Sequence, residues 1–395
     1  MSTLERERHA SWLELFYDLV FASAVSEIGH SLYVNNNSIL EFLGTISLFV
    51  PVWWAWMGVT FYAARFETDD VIHRIFVLLQ MMGAAALTIN IHGALAETSS
   101  NFAISYGAIR GFLVIEYLRT GRRIPAARKF ANGLARGFLI STILWLLSAI
   151  VPTPIRFMIW ALAIAVDMST AILVQRKHVQ LTPNIFHLPE RMGLFTLIVI
   201  GETVFGLVAS LSEHEWDVES IISIGAGLTI AFTLWWMYFD NVEGSPIRAF
   251  RERGRARIYI AWIYLHLPLV VGLVSTATGI RYIISTPQNV VLPYIGEWLI
   301  CGSVAICLFS IGAIQFTTAS SLEHDSSSQS NHSNNNRKKV LIQGSVYRFI
   351  AGFVIILIAA LYVGVLPLVL ILIITVICII QIILDLRLHP HHRIF

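Results

Sequence analysis

Apolar residues along this chain gather into long runs separated by short polar punctuation. A run of about 20 apolar residues is what a helix needs to cross ~30 Å of hydrocarbon. Twelve such stretches can be marked, over residues 11–33, 39–62, 73–96, 99–119, 129–150, 155–175, 190–212, 219–240, 256–279, 293–318, 341–362 and 365–385. The last pair flanks Pro367 and reads equally as one long helix broken there. The first stretch starts near the N-terminus and carries Glu14 and Asp18, unlike the apolar core of a cleaved signal peptide. It is expected to stay in the mature protein.

Composition decides what surrounds these helices. Of 395 residues, 56% are hydrophobic and only 13% charged, and the mean hydropathy is +0.69. Soluble domains carry about 25% charged residues, so a soluble fold of this size would lack the polar surface to cover itself. The expected fold is all-α, a polytopic helical membrane protein with about 12 transmembrane helices. Cys301, Cys307 and Cys378 all lie inside apolar runs, which excludes a disulfide framework and a zinc-ligand spacing. No phosphate-binding loop, G-x-S-x-G, H-E-x-x-H or dinucleotide fingerprint is present. The chain therefore reads as a non-enzyme with no cofactor, no metal and no nucleic-acid partner, its partners being membrane lipids and a small solute or ion.

Charge sidedness predicts orientation. Most of the 27 basic residues fall in alternate connections: Arg6 and Arg8, Arg65 and Arg74, Arg119 to Lys129, Arg176, Lys177 and Arg191, Arg248 to Arg257, Arg337 to Lys339, and Arg387 and Arg393. The opposite side has Arg156 and Arg281, and its longest charged loop is acidic, Glu213 to Asp217. By the positive-inside rule both termini should be cytoplasmic, in a cell membrane.

Weak internal matches suggest a duplication. Leu15-Phe16 corresponds to Leu194-Phe195, Trp53-Trp54 to Trp235-Trp236, and Gly133 with Arg136 to Gly344 with Arg348. Residues 1–187 would form one six-helix half and 188–385 the other, parallel because each half holds an even number of spans. Residues 386–395 would form a cytoplasmic tail. Within the second half, Ser320 to Asn336 is rich in Ser and Asn and reads as a disordered cytoplasmic linker. Its His324 and His332, like His389, His391 and His392, lack a metal-binding pattern.

Ionisable side chains at membrane depth cost about 2.5–3.5 kcal/mol each on insertion scales, so each needs a reason. The first stretch holds Glu14, Asp18, Glu27 and His30. Glu14 and Asp18 lie one turn apart, whereas Glu27 falls on the opposite side of the helix. Such a helix belongs in the interior. Elsewhere Arg110, Asp167, Glu202 and His266 stand at membrane depth. Arg110 needs an acid, with Asp18 the first choice over Glu27 and Glu202. The candidate substrate-binding, ion-binding or proton-relay residues are Glu14, Asp18, Glu27, Arg110 and Glu202, against the plainer reading that these groups only lock helices together. Arg136 and Arg348 read as snorkelling to headgroups, and Glu116 as interfacial. Trp53, Trp54, Trp56, Trp235 and Trp236 read as core or interfacial packing.

Two stretches carry a resemblance. The opening R-x-R-x-A-S-W-L-E-L-F-Y-D-L-V-F-A and the later E-R-M-G-L-F-T-L-I-V-I-G-E-T-V, with the twelve-stretch layout, resemble the bacterial low temperature requirement A family. The resemblance runs through the twelfth stretch. Its motif residues fall here on Trp12, Glu14, Leu15, Phe16, Asp18, Glu190, Arg191, Gly201 and Glu202. It implies a membrane protein named for growth in the cold, with no reaction or cargo attached. A weaker similarity is to two-repeat, six-span potassium channels with Phe-Ser-Asp in the first helix; here the tripeptide is Phe16-Tyr17-Asp18, and the second half has Phe195-Thr196-Leu197 without an acid.

The functional expectation is a secondary transporter for a small solute or ion, using intramembrane carboxylates. A cation channel and a non-transporting scaffold or sensor linked to growth at low temperature are the alternatives.

Overall fold

A computed structural model describes residues 9–34, 39–66, 70–213, 218–322, 328–361 and 364–388. Every regular element among them is helical. Helices occupy most of each apolar stretch, the third ending at Ile89 rather than at 96, and among the described residues nine helical stretches are long and apolar enough to cross a membrane. Three long helices fall outside that set: α1 (Trp12–Val34), α5 (Ser99–Arg123) and α8 (His187–Glu213). They carry Glu14 and Asp18, Arg110 and Glu116, and Glu190 and Arg191 respectively. In these three helices, Glu14, Asp18, Arg110, Glu116 and Arg191 are buried ionic groups.

Two expected helices are broken, each four residues before a proline. The first half of the second stretch is α2 (Ile39–Ser47) and the remainder α3 (Phe49–Ala63). Pro51 cannot donate to the Ser47 carbonyl and its ring crowds that turn. Likewise α11 (Ala256–Tyr264) gives way to α12 (His266–Ser285), where Pro268 faces the Tyr264 carbonyl. A helix absent from the hydropathy pattern, α10 (Ser245–Arg253), forms within the basic connection. Its Ile247, Ala249 and Phe250 are buried, and Gly254, at φ +66°, terminates it.

The chain forms two compact units. Unit 1 comprises residues 1–31, 40–194 and 250–256. In it α3 is buried almost all round and packs against α5. From α4 (Val71–Ile89) through α5 and α6 (Arg128–Ser148) to α7 (Ile155–Lys177), each helix packs on the next. On α4 apolar side chains face both ways: Ile75, Leu78, Met82 and Ile89 are exposed, while His73 and Gln80 are buried beside Val77, Met81, Ala84 and Leu87. That arrangement suits lipid outside and polar side chains inside.

Unit 2 comprises residues 32–39, 195–249 and 257–395. Its central helix α13 (Tyr294–Ser321) packs against α12, α14 (Ser328–Leu361) and α9 (Val218–Phe239), and α15 (Pro367–Leu388) packs on α9 and α14. Close approach of α12 to α13 needs Gly279, where a Cβ would stand 2.9 Å from the Ile300 Cα. Between α14 and α15, Gly364 adopts φ +97°, so Pro367 opens a separate helix. Of the Ser/Asn segment expected as a linker, residues 323–327 lie outside the described residues, and α14 takes in the portion from Ser328 onward. The tail expected at 386–395 is described only to Leu388, where α15 ends.

Candidate functional site

The start of α1 is fixed by reciprocal capping. The Ser11 hydroxyl accepts from the Glu14 N–H at 3.3 Å, and the Glu14 carboxylate accepts from the Ser11 N–H at 2.7 Å. This is the capping box that the S-x-x-E spacing encodes. The start of α8 is fixed by Asn184. Its side chain accepts from the Phe186 and His187 N–H groups at 2.9 and 3.1 Å, while its own N–H donates to the Ala64 carbonyl after α3. Arg251 on α10 holds the preceding chain, donating to the Thr182 hydroxyl and the Pro183 carbonyl.

These two helix starts meet side by side. His187 Nε2 lies 3.2 Å from Glu14 Oε1, and Arg191 Nη2 lies 2.6 Å from Asp18 Oδ1. Four residues separate the acids and four separate the bases, so both pairs span 173 positions. A ladder of that sense requires α1 and α8 to run in the same direction here. Trp56 of α3 donates its indole N–H to Asp18 Oδ1 at 2.7 Å, and Arg191 Nη2 also reaches the Thr60 hydroxyl at 3.4 Å. Trp56 and Thr60 are again one turn apart. Asp18 is completely buried and Arg191 is 1% exposed.

Arg191 is therefore no loop cation. Counting it among the cytoplasmic connection charges is corrected: α8 starts at His187, three residues earlier than the apolar run suggests, and carries Arg191 into the interior. The partner chosen for Arg110 is corrected too. Arg110 Nη2 donates to Asp167 Oδ1 of α7 at 2.9 Å, with both side chains completely buried. Its guanidinium lies 4.3 Å from the Phe138 ring centroid, a cation–π contact from α6. Asp18 is taken by Arg191 and Trp56, so it does not serve Arg110.

Two further expectations change. Glu116 is buried rather than interfacial, bonded to His73 Nδ1 at 2.7 Å and accepting from Gln80 Nε2 at 2.9 Å. Arg348, in unit 2, is buried rather than snorkelling: Nη1 donates to Gln315 Oε1 and Nη2 to Asp385 Oδ2, each at 2.6 Å. Arg136 is exposed, as snorkelling requires. Trp53, Trp54 and Trp56 are buried in the core.

Of the five sequence candidates, the structure brings Glu14 and Asp18 together in the ladder. Glu27 sits half-buried on α1, nine residues past Asp18 and so on the other side of that helix. Glu202 is half-buried on the part of α8 that belongs to unit 2. Sequence reasoning missed His187, the pairing role of Asp167, and the His73–Glu116 pair. The matching four-residue spacing of His187 and Arg191 to Glu14 and Asp18 was a usable signal for the first.

Hydrogen-bonding capacity is left over inside unit 1. Asp18 Oδ2, the Tyr17 hydroxyl, His187 Nδ1, and Nε and Nη1 of both Arg191 and Arg110 are buried without a hydrogen-bond partner among the described residues. Outside the span, the Asp70 carboxylate caps α4, accepting from the His73 N–H at 2.9 Å and pairing with Arg119 and Arg123 of α5. These contacts, the backbone N–H first, hold its pKa well below the usual carboxylate range.

The two motif stretches thus meet through Glu14, Asp18 and Arg191, with His187 beside them. Comparison with known proteins agrees with that reading. The chain is 23% identical over 299 residues to "Uncharacterized protein RA0937" of Rhizobium meliloti (strain 1021), covering 71% of each chain. No solved structure matches it. Residues 9–383 match the family described as bacterial low temperature requirement A protein (LtrA), so the chain belongs to that family and is a membrane protein of its type.

Proposed function

We propose that this protein is a secondary transporter for a small solute or ion, with all twelve long helical stretches crossing the cell membrane and both termini cytoplasmic. The observation that carries the reading is the buried Asp18–Arg191 pair with spare capacity. Asp18 Oδ2 and Arg191 Nε and Nη1 offer one acceptor and two donors beyond the bonds they already make. Native interiors rarely leave such groups unused, and a polar solute or ion crossing the bilayer needs such partners. The shared direction of α1 and α8 supports an even number of crossings between them, as two parallel six-helix halves would give.

Asp18 and Arg191 take the binding role, Glu14 supports them through the ladder, and Arg110 is held by Asp167. Glu202 and Glu27 act as candidate coupling carboxylates. The test is uptake of labelled amino acids, sugars and monovalent cations by proteoliposomes holding the full chain. The reading expects one class to accumulate against its gradient, with Asp18→Asn and Glu202→Gln each lowering uptake at least tenfold at equal protein incorporation. Passive electrogenic flux alone would point to a cation channel instead. A scaffold or sensor reading draws on one observation, that Arg110, Arg191 and Arg348 each have a bonded carboxylate in place. It expects no flux of any class and variants that alter stability alone.

A further inference from the structure

The α6–α7 pair of unit 1 is basic at one end and has no acid there to match. From Arg128 to Lys177 the sole acid is Asp167, and it is buried against Arg110. Helix α6 opens with Arg128 and Lys129, with no acid in its first turn and no side-chain cap from Ala127. Cations at a helix start meet the positive end of the helix dipole, so this end favours an anion. Arg128 donates to the Gly121 carbonyl at 3.2 Å. Lys129, Arg136 and Lys177 are exposed and make no ion pair among the described residues.

These three cations share one groove. At 100° per residue, Lys129, Arg136, Ile140, Ile143 and Leu147 fall within a sector of about 60° on α6, and all five are exposed. Phe130, Leu134, Phe138 and Trp145, on the other side of the helix, are buried. Helix α7 flanks the exposed sector: a Cβ at Gly133 would stand 3.3 Å from the Val174 side chain, and one at Gly137 would meet Thr170. The numbers rise along one helix as they fall along the other, so the two are antiparallel. At their common end the rings of Phe130 and His178 lie 5.7 Å apart, which sets Lys129 level with Lys177. A helical side chain leans toward the N-terminus of its own helix. Arg136 therefore leans toward Lys129, and Lys177, on the antiparallel helix, leans toward Arg136.

From this convergence we infer that the exposed α6–α7 groove holds one anionic phospholipid, its phosphate bound by Lys129, Arg136 and Lys177 and its acyl chains lying on Ile140, Ile143 and Leu147. Charge and apolar surface together select this occupant. A free inorganic anion would satisfy the cations but leave the apolar sector of α6 bare. A zwitterionic lipid would cover that sector but bring an ammonium group toward three cations. A lipid with net negative charge meets both demands, and basic residues at a membrane surface attract such lipids. Arg136 supplies more than charge, because its planar fork of N–H donors matches phosphate oxygens. The lipid site stands or falls independently of the transport reading.

The test uses the full-length protein in a non-ionic detergent, incubated with equal amounts of phosphatidylglycerol and phosphatidylcholine carrying the same acyl chains. Native mass spectrometry counts the lipid retained. One phosphatidylglycerol should be held at least about fivefold more often than phosphatidylcholine. Arg136→Gln should abolish that preference, and so should Lys129→Gln combined with Lys177→Gln. Arg387→Gln, which removes an exposed arginine of unit 2, should leave it intact. Excess glycerol phosphate, which has the headgroup chemistry without the chains, should not displace the lipid; displacement would reveal a phosphate site only and overturn the lipid assignment. Equal retention of the two lipids by the wild type overturns the inference outright. A preference that survives the α6 and α7 substitutions, or that is lost in Arg387→Gln, places the attraction elsewhere and overturns it as well. Should a variant not fold, a photoactivatable phosphatidylglycerol on the wild type decides: label on α6 or α7 supports the groove, and label confined to other helices refutes it.

Discussion

Asp18 and Arg191 lie 173 residues apart in sequence and 2.6 Å apart in the fold, both sealed from solvent. Each comes from one of the two stretches that mark the family, and each helix start is fixed by its own cap, Ser11 for α1 and Asn184 for α8. The pair thus depends on local signals that place the helix ends as much as on attraction between charges.

Removing one member should expose the dependence. Asp18→Leu leaves the Arg191 cation buried without its counter-charge, which typically costs about 3–5 kcal/mol. Arg191→Met strands Asp18 similarly. The double variant Asp18→Leu with Arg191→Met should recover most of that loss, because two apolar groups need no compensation. Chemical unfolding of the three proteins in detergent measures this; additive losses would show that the two residues are energetically independent.

Asp70 gives a dependence on pH of known sign. Its contacts with the His73 N–H, Arg119 and Arg123 lower its pKa in the folded state. A depressed carboxylate contributes stability that is present above its unfolded value of about 3.9 and is lost as pH falls through the folded value. Asp70→Asn keeps a good helix cap but removes the charge. The variant should be less stable than wild type at neutral pH, and the gap should close progressively below about pH 4. Unfolding midpoints of both proteins across that range test it; a gap that widens on acidification contradicts the assignment.

Where helices would form was legible because lipid dictates it: the exposed Ile75, Leu78, Met82 and Ile89 of α4 are the residues that hydropathy registers. The helix breaks before Pro51 and Pro268 were also written locally, though an apolar run passes over them without a dip. Partner choice was not legible, since it depends on which helices pack side by side. Arg110 was matched to Asp18, Glu27 or Glu202 but took Asp167, because α5, α6 and α7 pack in sequence. The same limit applies to Arg136 and Arg348, matched by spacing yet opposite in environment. One faces outward; the other is locked to Asp385 and Gln315.

Trp56 connects the aromatic core of α3 to the ionic ladder through a single indole N–H. Trp56→Phe keeps most of the packing but withdraws a donor from a buried carboxylate oxygen that otherwise has only Arg191. Losing such a bond costs about 1–3 kcal/mol. The loss should be much smaller in an Asp18→Asn background, where the acceptor is no longer charged. A double-mutant cycle on unfolding free energy reads the difference, and equal losses in both backgrounds would separate the indole from the carboxylate.

Unit 2 offers a test of helix approach free of ionic groups. A Cβ at Gly279 would stand 2.9 Å from the Ile300 Cα and 3.1 Å from its nitrogen, atoms of the α13 backbone that cannot swing aside. Gly279→Ala should therefore push α12 from α13 and cost about 1–3 kcal/mol, the usual range for overpacking. Gly302, on α13 itself, has nothing within 4 Å of the same position. There Gly302→Ala should be neutral or stabilise by up to about 1 kcal/mol, since alanine is the better helix former. Thermal unfolding of the two variants side by side separates steric approach from backbone propensity. If both glycines tolerate alanine equally, the α12–α13 contact is looser than the geometry requires.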